Sequence, residues 1–238
     1  MSGEIAKLRY LALPRWTAGS VFAITLIVGA ALLVFPPGKV DKFITTPAFA
    51  LGMVFGIAAI VFAVWSASIE FSSGTLQRTL TAEPIRSRVL GSKLICVLVG
   101  TAIVGLGAAA ASAGLSVIAA SNAGVSLDDG DLAEQLFSQV PSALAFAGVG
   151  FGFGLLTRSM GGGITLALAL AYIADGIIGF IPGFENIGFG TLTHDLTSGL
   201  SGQGETSNGL GAAAFGTLVW VVIVMVPGWL RFTRGDLK

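Results

Sequence analysis

Six stretches of this chain are each about as long as a membrane span and carry almost no charge. A helix needs ~20 mostly apolar residues to cross ~30 Å of hydrocarbon, so these stretches restrict the fold to membrane-spanning helices. Only 11% of the 238 residues are charged, whereas roughly a quarter are charged in a soluble domain. We therefore predict one all-α membrane domain over residues 1–238. Its six spans cover residues 18–35, 47–68, 94–121, 136–157, 161–181 and 210–230.

Basic residues concentrate in alternate connections between these stretches. When the N-terminus, the second and fourth connections and the C-terminus share one side, that side holds eleven of the 13 Lys and Arg residues. Lys and Arg near span ends are retained in the cytosol during insertion. The pattern therefore predicts that both termini are cytosolic and that the number of spans is even. The opposite side carries two basic and eight acidic residues.

Two segments outside the spans also show helical periodicity. Residues 2–13 favour a helix lying in the plane of the cytosolic interface and ending at Pro14. An unstructured cytosolic tail is the alternative. The connection over residues 182–209 is long, and its apolar residues repeat every four positions, which predicts a short external helix touching the membrane or the other spans. These apolar residues are Leu192, Leu196 and Leu200.

The connection after the second stretch is the most informative segment. Glu70 stands at the end of the span, where an isolated charge is costly unless it is solvated or paired. Gly74 permits a sharp change of direction, residues 75–81 favour a short helix, and Pro84 breaks it. A short polar helix between two long spans suits docking on a cytosolic partner. A solvated, positively charged loop is the alternative that charge alone leaves open.

This segment resembles a known family. The run E-F-x-x-G-T-x-x-x-x-L-x-x-x-P-x-R-x-R-x-x-x-x-K over residues 70–93 is similar to the cytosolic connection between spans two and three of type-two ABC exporter permeases. Small bacterial members that pair with a separate ATPase are the most similar. The F-x-R-x-D ending at residues 232–236 resembles the C-terminus often seen in that family.

The resemblance implies a bacterial plasma-membrane permease that pairs with a second permease chain, identical or related. Each chain would rest a cytosolic coupling helix on one of two ABC ATPase subunits. Drugs, antimicrobial peptides or lipid-like molecules are the expected substrates, which suggests a role in antibiotic resistance. Residues that the resemblance assigns to ATPase coupling are Glu70, Gly74, Thr75, Arg78, Pro84, Arg86 and Arg88.

The chain is not expected to hydrolyse ATP itself. A Walker A loop has the form G-x-x-x-x-G-K-[ST], and no Lys in this sequence is followed by Ser or Thr. We therefore expect no catalytic residue and no cofactor on this chain, with ATP and magnesium bound by the partner ATPase. Because the sequence has one His, His194, and one Cys, Cys96, a metal site is also not expected. No nucleic-acid partner is expected.

Tyr172 and Asp175 lie in the fifth stretch. A carboxylate at the bilayer centre costs roughly 2.5–3.5 kcal/mol on insertion scales, so Asp175 should face protein or water. We regard both residues as candidates for the translocation path or an external gate. A hydrated carboxylate near the outer interface is the alternative for Asp175.

Alternating glycines mark the fourth stretch. At 100° per residue, Gly148 and Gly152 share one helix face while Gly150 and Gly154 lie on the nearly opposite face. Such small-x-x-x-small faces allow close approach of neighbouring helices. The pattern predicts helix packing on both sides, with a role in substrate movement as the alternative.

Two other classes of function stay open behind the exporter permease. An ATP-independent channel or carrier is one, although carriers usually place several ionisable groups or unwound elements near the midplane, and Asp175 is the one clear candidate here. An intramembrane enzyme is the other. A serine protease needs its His within the bilayer, whereas His194 falls outside the predicted spans.

Overall fold

A computed structural model of the protein describes residues 12–72, 86–202 and 206–234, and over these ranges the chain is helical without any strand. The all-α prediction is therefore confirmed for the described part of the chain. Its helices, in chain order, are α1 (Ala12–Val34), α2 (Lys42–Ser72), α3 (Arg86–Asn122), α4 (Asp129–Phe137), α5 (Gln139–Thr157), α6 (Met160–Tyr172), α7 (Ala174–Ile178), α8 (Phe189–Ser201) and α9 (Leu210–Arg234).

Within the described residues, five helical segments are long and apolar enough to cross a membrane. They are Arg15–Val34, Lys42–Ile69, Ser87–Asn122, Gly130–Thr157 and Leu210–Arg234. Large apolar side chains remain exposed along three of them, as at Ile27 of α1, Ile103 of α3 and Phe215 of α9. A soluble monomer rarely exposes so much contiguous apolar surface. The structure therefore indicates a membrane protein.

The fifth apolar stretch differs from its prediction. Instead of one helix over residues 161–181, α6 stops at Tyr172 after 13 residues, and the five-residue α7 follows Ile173. At 1.5 Å per residue α6 is about 20 Å long, shorter than the ~30 Å of a hydrocarbon core. Hydropathy could not locate this break because Ile173 and its neighbours are as apolar as the rest of the stretch.

The centre of the bundle is the packing of α2 against α5. Glycines of α5 allow the two backbones to approach closely. A Cβ atom added at Gly150 would lie 2.9 Å from the carbonyl oxygen of Ile60, and one at Gly154 would lie 3.0 Å from that of Val64. Any side chain at these two positions would therefore push α2 away.

The opposite face of α5 packs against α9. A Cβ atom added at Gly148 would lie 2.8 Å from a methyl group of Val221, and one at Gly152 would lie 2.9 Å from a methyl group of Val224. On the other side of this contact, Gly228 of α9 lies close to the carbonyl oxygen of Gly152. The two small-residue faces of α5 thus meet two different helices.

Two helix boundaries also differ from the sequence predictions. Pro14 lies in the first turn of α1 instead of ending a preceding helix, and Pro is tolerated there because its missing N–H would have no intrahelical partner. Helix α3 begins at Arg86 rather than at residue 94, so its first two turns are basic. Residues 2–11 of the predicted interfacial helix and residues 75–81 of the predicted coupling helix lie outside the described residues.

The short helix predicted in the connection over residues 182–209 is present as α8. Leu192 and Leu196 are buried, while Leu200 is exposed. Leu192 packs beside Gly216 of α9, where an added Cβ would lie 2.8 Å from a Leu192 methyl group. The apolar stripe of α8 therefore contacts the other helices.

Candidate functional site

A cavity of about 940 Å³ lies between α2, α4, α5, α6 and α8, and we call it the α8 cavity. It occupies the end of the bundle where α2 and α5 begin and α6 ends. Hydroxyl and amide groups from four different helices line it, and none of its described lining residues is Lys or Arg. These polar lining residues include Thr45, Gln135, Gln139, Ser142, Thr193 and Thr197.

Asp175 lies at this cavity, and its carboxylate binds the N-terminus of α8. It accepts hydrogen bonds from the backbone N–H of Gly190 at 3.1 Å and from the hydroxyl of Thr191 at 3.0 Å. The backbone N–H of Thr191 also donates to it. The first N–H groups of a helix have no intrahelical acceptor, and the helix dipole favours an anion there. Asp175 therefore caps α8 from another segment while it forms part of the cavity wall.

Glycines make this cap possible. A Cβ atom at Gly190 would lie 2.8 Å from both the Ala171 carbonyl oxygen and the Asp175 carboxylate, and one at Gly188 would overlap that carboxylate. Only residues without a side chain allow the start of α8 to come this close to α6 and α7. No local sequence pattern indicates this contact, because Asp175 lies 15 and 16 residues before its partners Gly190 and Thr191.

A second carboxylate, Asp195, fixes the other side of α8. Its side chain is 1% exposed and accepts hydrogen bonds from the backbone N–H groups of Ser207 at 3.1 Å and Asn208 at 2.8 Å. The Asn208 amide donates both to Asp195 and to the carbonyl of Asn186. Sequence reasoning counted Asp195 only among the external acidic residues. In the structure it joins α8 to the segment that leads into α9.

Aromatic side chains form one wall of the α8 cavity. The Phe146 and Tyr172 rings stack with centroids 6.1 Å apart, and Phe189 meets Phe146 edge-on at 5.3 Å. Gly56 of α2 gives space for this pair, since an added Cβ would lie 3.1 Å from the Phe146 ring and 3.3 Å from the Tyr172 hydroxyl. Tyr172 and Asp175, selected from the sequence, thus share one cavity.

Two polar atoms at this cavity lack a hydrogen-bond partner among the described residues. They are the Thr45 hydroxyl oxygen on α2 and the Gln135 amide oxygen on α4, and both are shielded from solvent. Leaving a buried polar atom unpaired costs about 1–3 kcal/mol. Native proteins usually retain such atoms where a ligand or water completes them. Sequence reasoning missed both residues, because they belong to separate helices, α2 and α4, and line one cavity only in the folded bundle.

The opposite end of the bundle holds a cluster that we call the Phe71 cluster, formed by Phe71, Arg158, Arg231 and Phe232. Phe71 and Phe232 meet edge-on at 5.7 Å, and the Arg158 guanidinium lies 5.4 Å from the Phe71 ring centre. Arg158 donates to the carbonyl of Arg231 at 3.3 Å, and Arg231 donates to that of Leu156. The cluster therefore joins the ends of α2, α5 and α9.

Three of the seven residues assigned to ATPase coupling by resemblance lie around this same end. Glu70 lies in the last turn of α2, Arg86 begins α3, and Arg88 is exposed on α3. The buried Lys93 of α3 donates to the carbonyl of Ser66 on α2 at 3.2 Å and thereby ties the two helix ends together. Four further residues lie outside the described part of the chain. These are Gly74, Thr75, Arg78 and Pro84.

Within the described residues, no group of three or more His, Cys, Asp or Glu side chains could hold a metal ion. No protein-family model matches the sequence, and no curated protein is significantly similar to it.

Proposed function

We propose that this chain is the membrane permease of an ATP-driven exporter of the ABC type, acting with a second permease chain and a separate ATPase. The α8 cavity is the observation that carries the proposal. Its volume of about 940 Å³ falls in the range of small-molecule sites, which are typically ~300–1,000 Å³. Polar groups facing a cavity between apolar helices are typical of a solute path in a membrane protein.

In this proposal the chain crosses the bacterial plasma membrane six times, with both termini in the cytosol. Helix α6, with α7 and the exposed apolar residues after it, makes the fifth crossing. Phe180 in that segment is 89% exposed, and an exposed apolar side chain of this size suits contact with a membrane. The distribution of Lys and Arg supports this orientation and puts the α8 cavity on the external side.

The Phe71 cluster offers a route for coupling to the ATPase. Phe71 lies at the end of α2, just before the segment that resembles a coupling helix, and it contacts side chains from the ends of α5 and α9. A displacement of that segment by the ATPase would therefore reach both helices. Drugs, antimicrobial peptides or lipid-like molecules are the proposed cargo, and ATP with magnesium belongs to the partner.

Site-directed photo-crosslinking in cells tests the proposal. A photoreactive amino acid at Thr75 or Arg78 should give an adduct with a subunit that contains a P-loop ATPase, identified by mass spectrometry. The same amino acid at Ser121, at the far end of α3, serves as the control and should give no such adduct. Labelling of an Arg78→Cys variant from outside intact cells, in a Cys96→Ser background, would contradict the proposal.

An ATP-independent carrier is the second candidate, and the break between α6 and α7 favours it. Carriers commonly bind their substrates beside discontinuous helices near the membrane midplane. Vesicles that contain this chain alone distinguish the two functions. Transport driven by an ion gradient without any ATPase would support the carrier, whereas transport that requires ATP and the partner supports the exporter.

A further inference from the structure

The charges around the α8 cavity are unbalanced. Asp175 contributes a carboxylate to the wall, and none of the cavity's described lining residues is Lys or Arg. The N-terminus of α8 offsets about half of one charge, so the Asp175 site keeps a net negative potential. Asp131 and Glu134 are exposed on α4, the helix that also supplies Gln135 to the cavity. Among the described lining residues an anionic ligand would find no Lys or Arg to pair with, which makes its burial costly. His194 also lines the cavity, and its ring nitrogen lies 3.9 Å from the Asp195 carboxylate.

The unpaired atoms at the cavity favour a ligand that donates hydrogen bonds. The Gln135 amide oxygen accepts and does not donate, and the Thr45 hydroxyl can do either. Both residues line the cavity, and a rotation of the amide or the hydroxyl would be needed to present these shielded oxygens to a bound molecule. An ammonium group has donors and no acceptor, which matches this need.

The aromatic wall provides the second half of the site. The Phe146 and Tyr172 rings are stacked on one side, and the exposed Phe49 also lines the cavity. Aromatic faces attract cations lying within about 6 Å of the ring centre. They also pack well against an aromatic ligand.

We propose that the α8 cavity binds an amphipathic organic ammonium ion that carries an aromatic group. Its ammonium end lies near Asp175 and Gln135, and its aromatic end packs against Phe49 and the Phe146–Tyr172 pair. This inference deepens the proposed function by naming the chemical class of the cargo, and it assigns the binding site to a single chain. Binding at this site requires neither ATP nor the partner ATPase.

A cysteine-protection experiment on the purified full chain in nanodiscs tests the inference. Met53 lines the cavity and is exposed, so Met53→Cys in a Cys96→Ser background reports on occupancy through its rate of reaction with a neutral maleimide. The probes are 1-naphthylmethylammonium, 1-naphthylmethanol and 1-naphthaleneacetate, which share one ring system and differ in charge. Ser121→Cys, outside the cavity, is the control for partitioning into lipid.

We expect the ammonium probe to protect Met53→Cys at about a tenfold lower concentration than the acetate, with the alcohol between them. Gln135→Leu should weaken protection by the ammonium probe about threefold or more, and Thr45→Val serves as a second variant if Gln135→Leu does not fold. Equal protection by the ammonium and acetate probes, a reversed order, no protection, or equal protection at Ser121→Cys would overturn the inference.

Failure of this inference is distinguishable from failure of the proposed function. Protection without any ATP-dependent transport would support the binding site and contradict the exporter function. ATP-dependent transport without protection would support the exporter function and show that its cargo binds elsewhere.

Discussion

The carboxylate of Asp175 accepts a hydrogen bond from the backbone N–H of Gly190 at 3.1 Å, across a separation of 15 residues. This contact holds the start of α8 over the end of α6. In the fifth apolar stretch α6 ends at Tyr172, and Asp175 lies in the separate helix α7, from which it makes this contact. Asp175, a candidate gate residue in the sequence, acts in the structure as an N-terminal cap of α8.

Replacing Asp175 by Ala should therefore destabilise the cavity wall. Loss of a helix N-cap costs about 0.5–2 kcal/mol, and the N–H groups of Gly190 and Thr191 would lose their acceptor. Thermal unfolding of the purified protein in detergent measures the change. Asp131→Ala on the exposed face of α4 is the matched control and should leave the unfolding temperature nearly unchanged. An equal effect of both variants would contradict the capping role.

The close packing of α5 can be tested by comparing two Gly→Ala variants. Gly150→Ala would bring a Cβ within 2.9 Å of the Ile60 carbonyl oxygen, whereas an added Cβ at Gly161 meets nothing within 4 Å. Overpacking a tight interface costs about 1–3 kcal/mol, so Gly150→Ala should lower thermal stability. Gly161→Ala should be neutral or stabilising by up to about 1 kcal/mol, because Ala restricts the unfolded chain. Similar stabilities of the two variants would show that α2 and α5 can separate without cost.

These glycines also show what the sequence could predict. Helical periodicity alone separates Gly148 and Gly152 from Gly150 and Gly154, and the structure turns the two pairs toward α9 and α2. Apolar runs likewise located five of the helical segments that are long enough to span a membrane. Both features are local, because each depends only on residues within a few turns of one another.

The α8 cavity could not be predicted in the same way. Thr45 and Gln135 come from helices that are far apart in the chain, and neither residue is unusual in its own segment. Asp195 finds its partners across a loop, at Ser207 and Asn208, and its sequence neighbours do not distinguish it from other external acidic residues. Six crossings, cytosolic termini and ATPase docking stay predictions.

Asp195 should matter more for local order than for the whole fold. Its carboxylate is the acceptor for three hydrogen bonds from Ser207 and Asn208, and hydrogen bonds to a charged group contribute about 1.5–3 kcal/mol each. Asp195→Ala should therefore expose the segment before α9 to proteolysis, measured as the rate of cleavage within residues 202–209. Glu185→Ala, on an exposed side chain, should leave that rate unchanged. Equal cleavage rates in the two variants would contradict the role of Asp195 in anchoring this segment.

The interaction energy between Phe71 and Phe232 in the Phe71 cluster can be measured. A double-mutant cycle of Phe71→Ala and Phe232→Ala should yield about 0.5–1.5 kcal/mol of interaction in thermal or denaturant unfolding, as for other edge-on aromatic pairs. Phe215→Ala, on an exposed ring of the same helix α9, should show no coupling to Phe71→Ala. Additive effects of Phe71→Ala and Phe232→Ala would contradict a direct link between the ends of α2 and α9.

Thr45 and Thr217 allow an unpaired hydroxyl that serves ligand binding to be distinguished from one that does not. Both hydroxyl oxygens are buried without a partner among the described residues, but only Thr45 lines the α8 cavity. Thr→Val keeps the shape and removes the unpaired group, so each variant should gain up to about 1–3 kcal/mol in stability. Only Thr45→Val should lose protection by the ammonium probe or transport activity, since a site that keeps an unpaired polar group for its ligand gives up stability for function. If Thr45→Val bound and transported as well as Thr217→Val, the Thr45 hydroxyl would have no part in recognition.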